Sequence, residues 1–248
     1  MNELARKNAH LFIGVDGGGT GCRARIEDAE GRLLGTGIAG PAAVRLGIDR
    51  SVVYVNDATI ACIGAHGGRD GGIVIVGTGS IGFAVVKGRE VRIGGYGFPI
   101  SDEGSGADLG LHAIRLALRA SDGRALATSF TREVMVRFDN DPFEAVAWMD
   151  RATATEYATL APLVMRHADA GDPVGRRIVR EAAEQIDELV RRLIECGAPR
   201  VALIGGLASS IEPWLAPDVQ RGLSPVEGDA IAGALYLARR RAVMARAC

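Results

Sequence analysis

The sequence predicts an α/β fold built by tandem duplication, and three observations lead to this prediction. Short apolar strands run into two glycine-rich loops, at residues 16–20 and 77–80. Residues around these loops recur at an offset of 60, and the later half of the chain carries apolar residues at helical spacing. The matched pairs are Gly17 and Gly77, Gly19 and Gly79, Ala24 and Ala84, Glu30 and Glu90, Arg32 and Arg92, Gly35 and Gly95, and Gly37 and Gly97, with Thr20 answered by Ser80. Because charged residues recur along with glycines, we interpret the chain as two copies of one strand–loop–strand unit.

The first copy is typical of an antiparallel three-stranded meander. Residues 11–15 form an apolar strand, and residues 22–27 alternate between apolar and charged as in a half-buried strand. A turn at 28–31 leads into a third strand at 32–37, and the second copy repeats this design. An apolar strand at 52–55 separates the copies and is followed by a helix at 58–66.

Helices dominate the rest of the chain. Apolar residues from Leu109 to Ala120 predict one helix. A longer helix is predicted to begin with Pro173 in its first turn and to end at Gly197. The expected inner stripe of the long helix is Val174, Ile178, Ala182, Ile186, Leu189 and Leu193. A strand at 200–204 and a tight turn precede a helix with Ser209 or Ser210 as its N-cap, and Asp229 caps a last helix at 230–241.

Composition excludes several classes of protein. The 29 Lys and Arg residues balance 30 Asp and Glu residues, so no global field attracts nucleic acid or an anionic membrane. The four cysteines lie far apart without zinc-ligand spacing, which indicates reduced thiols and a cytoplasmic protein. The polar first ten residues carry no signal for secretion or membrane insertion. A small-molecule partner is the expectation that remains.

The two glycine loops have the character of a phosphate clamp. Consecutive glycines at 17–19 let backbone N–H groups approach phosphate oxygens, and Asp16 at the strand end is a candidate ligand for hydrated Mg²⁺. Alone, this loop is also compatible with a simple tight hairpin, which is the less favoured alternative. The second loop, Gly77-Thr78-Gly79-Ser80, is predicted to bind phosphate from the opposite side, and two such loops favour a nucleoside triphosphate such as ATP.

Three further segments carry candidate site residues. Asp57 follows a strand and is either the base that deprotonates an acceptor hydroxyl or the N-cap of its helix. Asp102 and Glu103 either cap a helix or bind a polyhydroxyl ligand. Residues 205–206 either let an adenine lie on the backbone, with Ser209 or Ser210 near the sugar, or form an ordinary turn.

Together these motifs resemble the actin-like (ribonuclease H-like) superfamily of sugar kinases and Hsp70 ATPases. Within it, residues 16–20, 55–58, 77–80 and 94–106 are similar to the N-acetylglucosamine kinase and bacterial glucosamine kinase family, which belongs with the benzoyl-CoA reductase activase type of ATPase. The resemblance covers nearly the whole chain. It implies duplicated lobes at residues 1–67 and 68–248, and it leaves open whether the last helix packs back on the first lobe. It also implies magnesium-ATP bound between these lobes and a hexosamine acceptor phosphorylated on its 6-hydroxyl. Whether the protein is a homodimer stays open.

The resemblance also implies roles for individual residues. Asp57 would be the base. Amino-sugar contacts would come from Asn56, Gly95, Tyr96, Gly97, Asp102 and Glu103. ATP contacts would come from Gly17, Gly18, Gly19, Thr20, Gly77, Thr78, Gly79 and Ser80, and the adenosine pocket from Gly205, Gly206 and Ser210.

The chain departs from this family in two places. Ala43 stands where the family usually carries an Asn that binds sugar, and only residues 41–51 join the third strand to the strand before Asp57. The family normally has a helix, a central strand and a second helix there, so the first lobe is abbreviated. Two alternatives to a hexosamine kinase stay open. One is a catalytically inert sugar or nucleotide binder, which these two departures favour. The other is an activase ATPase, which holds an iron–sulfur cluster through cysteines, and the position of Cys22 and Cys62 in or beside predicted core elements disfavours it.

Overall fold

A computed structural model of the chain describes residues 10–18, 21–40 and 55–247. They fall into two compact units. One takes in the described residues up to Gly72, residues 84–90 and residues from Pro225 onward, and the other comprises residues 73–83 and 91–224. Ala43 and residues 52–54 of the strand predicted before Asp57 lie outside the described residues.

The first unit contains the predicted meander. Its strands are β1 (Phe12–Gly18), β2 (Gly21–Glu27) and β3 (Leu33–Ala39), antiparallel and hydrogen-bonded in that order. Asp28 forms the second turn, because its carboxylate accepts from the backbone N–H groups of Glu30 and Arg32 at 3.1 and 2.8 Å. The meander is therefore confirmed, with β3 displaced slightly toward the C-terminus.

Two helices pack closely in this unit, α1 (Asp57–Ala65) and α10 (Ala230–Ala247). Glycines allow backbone contact between them: a Cβ added to Gly64 would lie 2.0 Å from the Asp229 carbonyl oxygen, and one added to Gly233 would lie 2.0 Å from that of Ile60. The Asp229 carboxylate accepts from the Ala232 N–H at 2.9 Å. The predicted last helix and its cap are confirmed, and the helix continues to Ala247.

The second sheet contains four strands, β4 (Gly71–Val76), β5 (Ser80–Val86), β6 (Arg89–Ile93) and β7 (Val201–Ile204), in the order β6-β5-β4-β7. The duplicated copies differ in their third strand. Strand β6 ends at Ile93, and Gly94, Gly95 and Gly97 take φ angles of 65°, 70° and 103°. The matching Gly35 and Gly37 belong to strand β3, so the second copy opens into a loop where the first copy stays extended.

Eight helices of the second unit follow β6 in the chain. They are α2 (Gly106–Ser121), α3 (Ser129–Val136), α4 (Pro142–Met149), α5 (Ala154–Ala158), α6 (Ala161–Asp169), α7 (Pro173–Glu195), α8 (Ala208–Ile211) and α9 (Pro217–Gly222), with a 3₁₀ turn at Glu212–Trp214. Helix α7 has Pro173 in its first turn, as predicted, and the left-handed Gly197 follows its end at φ 96°. Of its predicted stripe, Ile178, Ala182, Ile186 and Leu193 are buried, while Val174 and Leu189 are half-buried.

The N-cap prediction for the short helix α8 is wrong. Ser209 and Ser210 lie inside this helix, and its N-cap is Leu207, without a side-chain capping bond. The helix begins earlier because the Leu207 N–H donates to the Val76 carbonyl at 3.0 Å, which turns the chain into the helix directly after Gly206.

The contact between α1 and α10 gives a stability prediction. Gly233→Ala places a methyl group against a backbone oxygen that no rotamer change can move, so we expect a loss of about 1–3 kcal/mol in the free energy of unfolding despite the better helix propensity of Ala. Urea unfolding measures the change. Gly222→Ala is the control, because a Cβ there meets no described atom within 4 Å. Equal stability of the two variants would contradict the backbone contact.

Candidate active site

The second glycine loop, residues 77–79, lies between β4 and β5 and is fixed through its carbonyl groups. The carbonyls of Gly77 and Thr78 accept from the N–H groups of Gly106 and Ala107, in the first turn of α2, at 2.8 and 3.1 Å. The Gly79 carbonyl accepts from the Gly77 N–H at 2.9 Å. Because the Gly77 N–H is also engaged in this bond, the groups of the loop left to meet an anion, among the described residues, are the N–H groups of Thr78 and Gly79 and the exposed Thr78 side chain.

Asp102 joins this loop to the loop after β6. Its Oδ1 accepts from the Gly97 N–H at 3.2 Å, and its Oδ2 lies 2.5 Å from the position of a Cβ on Gly79. Asp102 itself has a φ of 68°, which is uncommon outside glycine. A left-handed Asp and a glycine without a side chain thus bring the candidate phosphate and sugar segments together within the second unit.

Ser80 and Glu103 connect the second glycine loop to the turn at residues 102–105. Ser80 is buried, and its hydroxyl donates to the Glu103 carbonyl at 2.7 Å. The Glu103 carboxylate accepts from the Ser101 hydroxyl at 3.2 Å. The Ser80 hydroxyl proton is therefore committed to the 102–105 turn, and the exposed hydroxyl of the loop is that of Thr78.

Asp108 is a supporting residue that sequence reasoning missed. Its Oδ2 accepts from the Gly104 N–H at 3.0 Å, and its Oδ1 lies 3.2 Å from Nδ1 of His112. Burial raises the pKa of Asp108, but the hydrogen bonds from His112 and Gly104 outweigh burial and leave that pKa below its usual value. The hydrogen bond to Asp108 raises the pKa of His112 against the opposing effect of burial. The sequence signal was present, since an Asp and a His four residues apart share a helix face.

The candidate adenosine segment, Gly205–Gly206, follows β7. Gly205 has a φ of 108°, and a Cβ there would lie 2.3 Å from the Val76 carbonyl oxygen, so only glycine fits. Gly206 is open, with no described atom within 4 Å of an added Cβ. Ser209 and Ser210 are exposed nearby in α8. The backbone at Gly205 and Gly206 is exposed.

In the first unit, the first glycine loop is described only in part. Gly17 and Gly18 end β1 and pair with Cys22 and Gly21, whereas Gly19 and Thr20 lie outside the described residues. Asp16 forms an ion pair with Arg23, its cross-strand neighbour, at 2.6 Å. Arg23 is more than half exposed, so the pair contributes little to stability, while the Asp16 side chain is 21% exposed.

The start of α1 excludes one of the two roles considered for Asp57, that of the helix N-cap. Asn56 is the N-cap, and its side chain accepts from the Ala58 N–H at 2.8 Å. Asp57 is exposed in the first turn, where Oδ1 also lies 2.8 Å from that N–H. Among the described residues, Oδ2 of Asp57 has no hydrogen bond, so one carboxylate oxygen is available to a ligand.

The sequence matches the BadF/BadG/BcrA/BcrD ATPase family over residues 45–234. The chain belongs to this ATPase family. A glucosamine kinase, GspK, of Vibrio cholerae serotype O1 is 34% identical over 281 positions, which span 92% of this chain and 96% of that protein. Because 281 positions exceed the 248 residues of this chain, the relative has residues that this family member lacks.

Solved structures agree with this assignment. A candidate N-acetylglucosamine kinase of Chromobacterium violaceum has a TM-score of 0.80 at 33% identity, covering 92% of this chain and 98% of the other. A second candidate N-acetylglucosamine kinase, from Porphyromonas gingivalis, has a TM-score of 0.67 at 17% identity, covering 93% and 99%. The predicted α/β sugar-kinase fold of this ATPase family member is confirmed.

The described residues of the ATPase lack two features, a membrane-spanning helix and a cluster of metal ligands. No described helix has the length and apolar character needed to cross a membrane. The described residues contain no group of three or more His, Cys, Asp or Glu side chains arranged to hold a metal ion. Mg²⁺ commonly uses only one or two carboxylates plus substrate phosphates, and the carboxylate predicted for this role, Asp16, is paired with Arg23.

The Asp108–His112 pair gives a pH prediction. A raised pKa in the folded state means that the stabilisation from His112 is fully present below its unfolded pKa of about 6.5 and disappears as pH rises through the folded pKa. We expect His112→Gln to cost roughly 0.5–1 kcal/mol more at about pH 5.5 than at about pH 9, since the pair is half-buried. Urea unfolding at both pH values measures this difference. An Asp108→Asn background is the control and should reduce the pH dependence to the part that comes from the hydrogen bond between His112 Nδ1 and the Asp108 backbone carbonyl. A cost independent of pH in the native background would contradict the pair.

Proposed function

We propose that this ATPase family member transfers the γ-phosphoryl group of magnesium-ATP to the 6-hydroxyl of glucosamine or N-acetylglucosamine. The observation that carries this proposal is the carboxylate of Asp57, exposed at the start of α1 with one oxygen free among the described residues. The kinase names of relatives that match along nearly the full chain support it.

We propose that the glycine loops bind the phosphates. Gly77 closes the loop by donating its N–H to the Gly79 carbonyl, which leaves the amides of Thr78 and Gly79 for the phosphates, and Ser80 supports this loop through Glu103. Residues 17–20 would contribute in the same way, with Asp16 facing the magnesium ion of the substrate. Gly205, Gly206 and Ser210 would line the adenosine.

We propose that the hexosamine binds the loop after β6. Gly95, Tyr96 and Gly97 lie exposed or half-buried there, and Asp102 fixes the loop through Gly97. Asp102, Glu103 and Asn56 carry the polar groups that hydrogen-bond sugar hydroxyls. The choice between the free and the acetylated amine would depend on the surface around Tyr96, which is 75% exposed.

The chemistry assigned to Asp57 is general base catalysis. As the 6-hydroxyl oxygen forms a bond to the γ-phosphorus, the bond from that phosphorus to the β-bridging oxygen breaks and ADP leaves. Asp57 accepts the hydroxyl proton. Positioning and charge stabilisation by the loops supply the rest of the acceleration.

A second candidate function is an inert hexosamine binder. The residues that the chain lacks relative to the Vibrio cholerae kinase, together with Ala43, favour it. An activase role is disfavoured by the cysteines: Cys62 is buried, donates to the Gly71 carbonyl and has a pKa raised to about 11 by burial, whereas an iron–sulfur ligand is a thiolate. The cytoplasmic location and the homodimer stay predictions.

Asp57→Asn tests the proposal. Because a general base contributes roughly 10²–10⁴ in rate, we expect hexosamine-dependent ADP release to fall by about a thousandfold while the affinity for ATP, measured by calorimetry, stays the same. Asp150→Asn is the control, because Asp150 is exposed and its side chain makes no hydrogen bond among the described residues.

The base and the kinase activity each have an outcome that would contradict them. Unchanged turnover in Asp57→Asn would move the base to another residue. A wild-type protein that binds ATP and hexosamine but releases no ADP with either sugar would favour the inert binder instead.

A further inference from the structure

Arg92, near the end of β6, contacts the loop that follows it at three points. Its Nε donates to the Gly94 carbonyl at 3.2 Å, and its Nη2 donates to the Gly95 carbonyl. Its guanidinium carbon lies 5.0 Å from the centre of the Tyr96 ring. One side chain therefore holds three successive residues of the candidate sugar-binding loop.

The loop needs such an anchor because of its conformation. Gly94, Gly95 and Gly97 are left-handed, and glycines lose the most backbone freedom when they are fixed. Gly95 also lies against β5, since a Cβ there would be 2.7 Å from Cβ of Ile81. The Asp102 carboxylate holds the loop at Gly97, so Arg92 and Asp102 hold opposite ends of the same segment.

The matching residue of the first copy, Arg32, has a different partner from Arg92. At the matching position, the Arg32 Nε donates to Asp28 at 2.9 Å and closes the turn before β3. Residue 88, which corresponds to Asp28, is Gly. Arg92 therefore has no turn carboxylate to pair with and reaches forward to the loop instead.

We propose that Arg92 is a positioning residue that sets the affinity for the hexosamine by holding residues 94–96. This inference rests on the proposed function. A planar guanidinium can donate to two carbonyls and stack on Tyr96 at once, which a single ammonium cannot reproduce. Among the described residues, the Arg92 side chain makes no hydrogen bond to the phosphate loop at 77–80, so its effect is confined to the sugar.

The kinetic test uses Arg92→Lys and Arg92→Gln. Both variants should raise the KM for hexosamine about tenfold, as expected from losing a charged hydrogen bond at an exposed site, while the KM for ATP and the kcat at saturating sugar change less than about twofold. Arg89→Lys is the control. Arg89 is exposed on the same strand, and its side chain has no partner among the described residues. An unchanged hexosamine KM in both Arg92 variants, or an equal rise in the KM for ATP, would overturn the proposal.

Amide hydrogen exchange separates this inference from the proposed function. In the Arg92 variants without ligands, residues 94–97 should exchange at least about tenfold faster than in the wild type, while Arg89→Lys leaves them unchanged. Wild-type exchange rates at 94–97 in both Arg92 variants would overturn the positioning role, whatever the enzyme phosphorylates. A wild-type protein without hexosamine-dependent ADP release would contradict only the proposed function, because the exchange rates would still decide the role of Arg92.

Discussion

The carboxylate of Asp102 is the constraint on which the candidate site depends. One oxygen accepts from the Gly97 N–H and the other lies close to Gly79, so the loop after β6 and the loop after β4 meet at one carboxylate. This arrangement explains why Gly79 has no side chain and why Asp102 takes a left-handed conformation. The turn at 102–105 is held in place by Ser80 and Asp108, and the N–H groups at the start of α2 hold the phosphate loop. The two candidate ligand-binding segments are thereby brought together within the second unit.

The duplication explains how such a surface arises from a plain meander. In the first copy, Gly35 and Gly37 lie in an ordinary strand and Arg32 closes a turn. In the second copy, the strand stops at Ile93 and the same positions become a left-handed loop held by Arg92. One design therefore supplies a structural hairpin and a hairpin that ends in a binding loop.

The sequence predicted the strands, the long helices and the family because these depend on local patterns. Period-two alternation marked β2, and the apolar stripe with Pro173 and Gly197 marked α7. Features that depend on distant partners were not predictable in the same way. The end of β6 depends on Ile81 and Asp102, and the start of α8 depends on the Val76 carbonyl, which overrode the capping preference of Ser209. The role of Asp102 as a link between loops left no local signal, although its residue type was recognised as functional.

The link made by Asp102 can be measured directly through backbone dynamics. In the Asp102→Ala variant without ligands, we expect the order parameters of both the Gly79 and Gly97 amides to fall from about 0.85 to below about 0.6, as measured by ¹⁵N relaxation. The rest of the fold should stay unchanged. A drop at Gly97 alone, or at neither glycine, would contradict the claim that one carboxylate holds the two loops together.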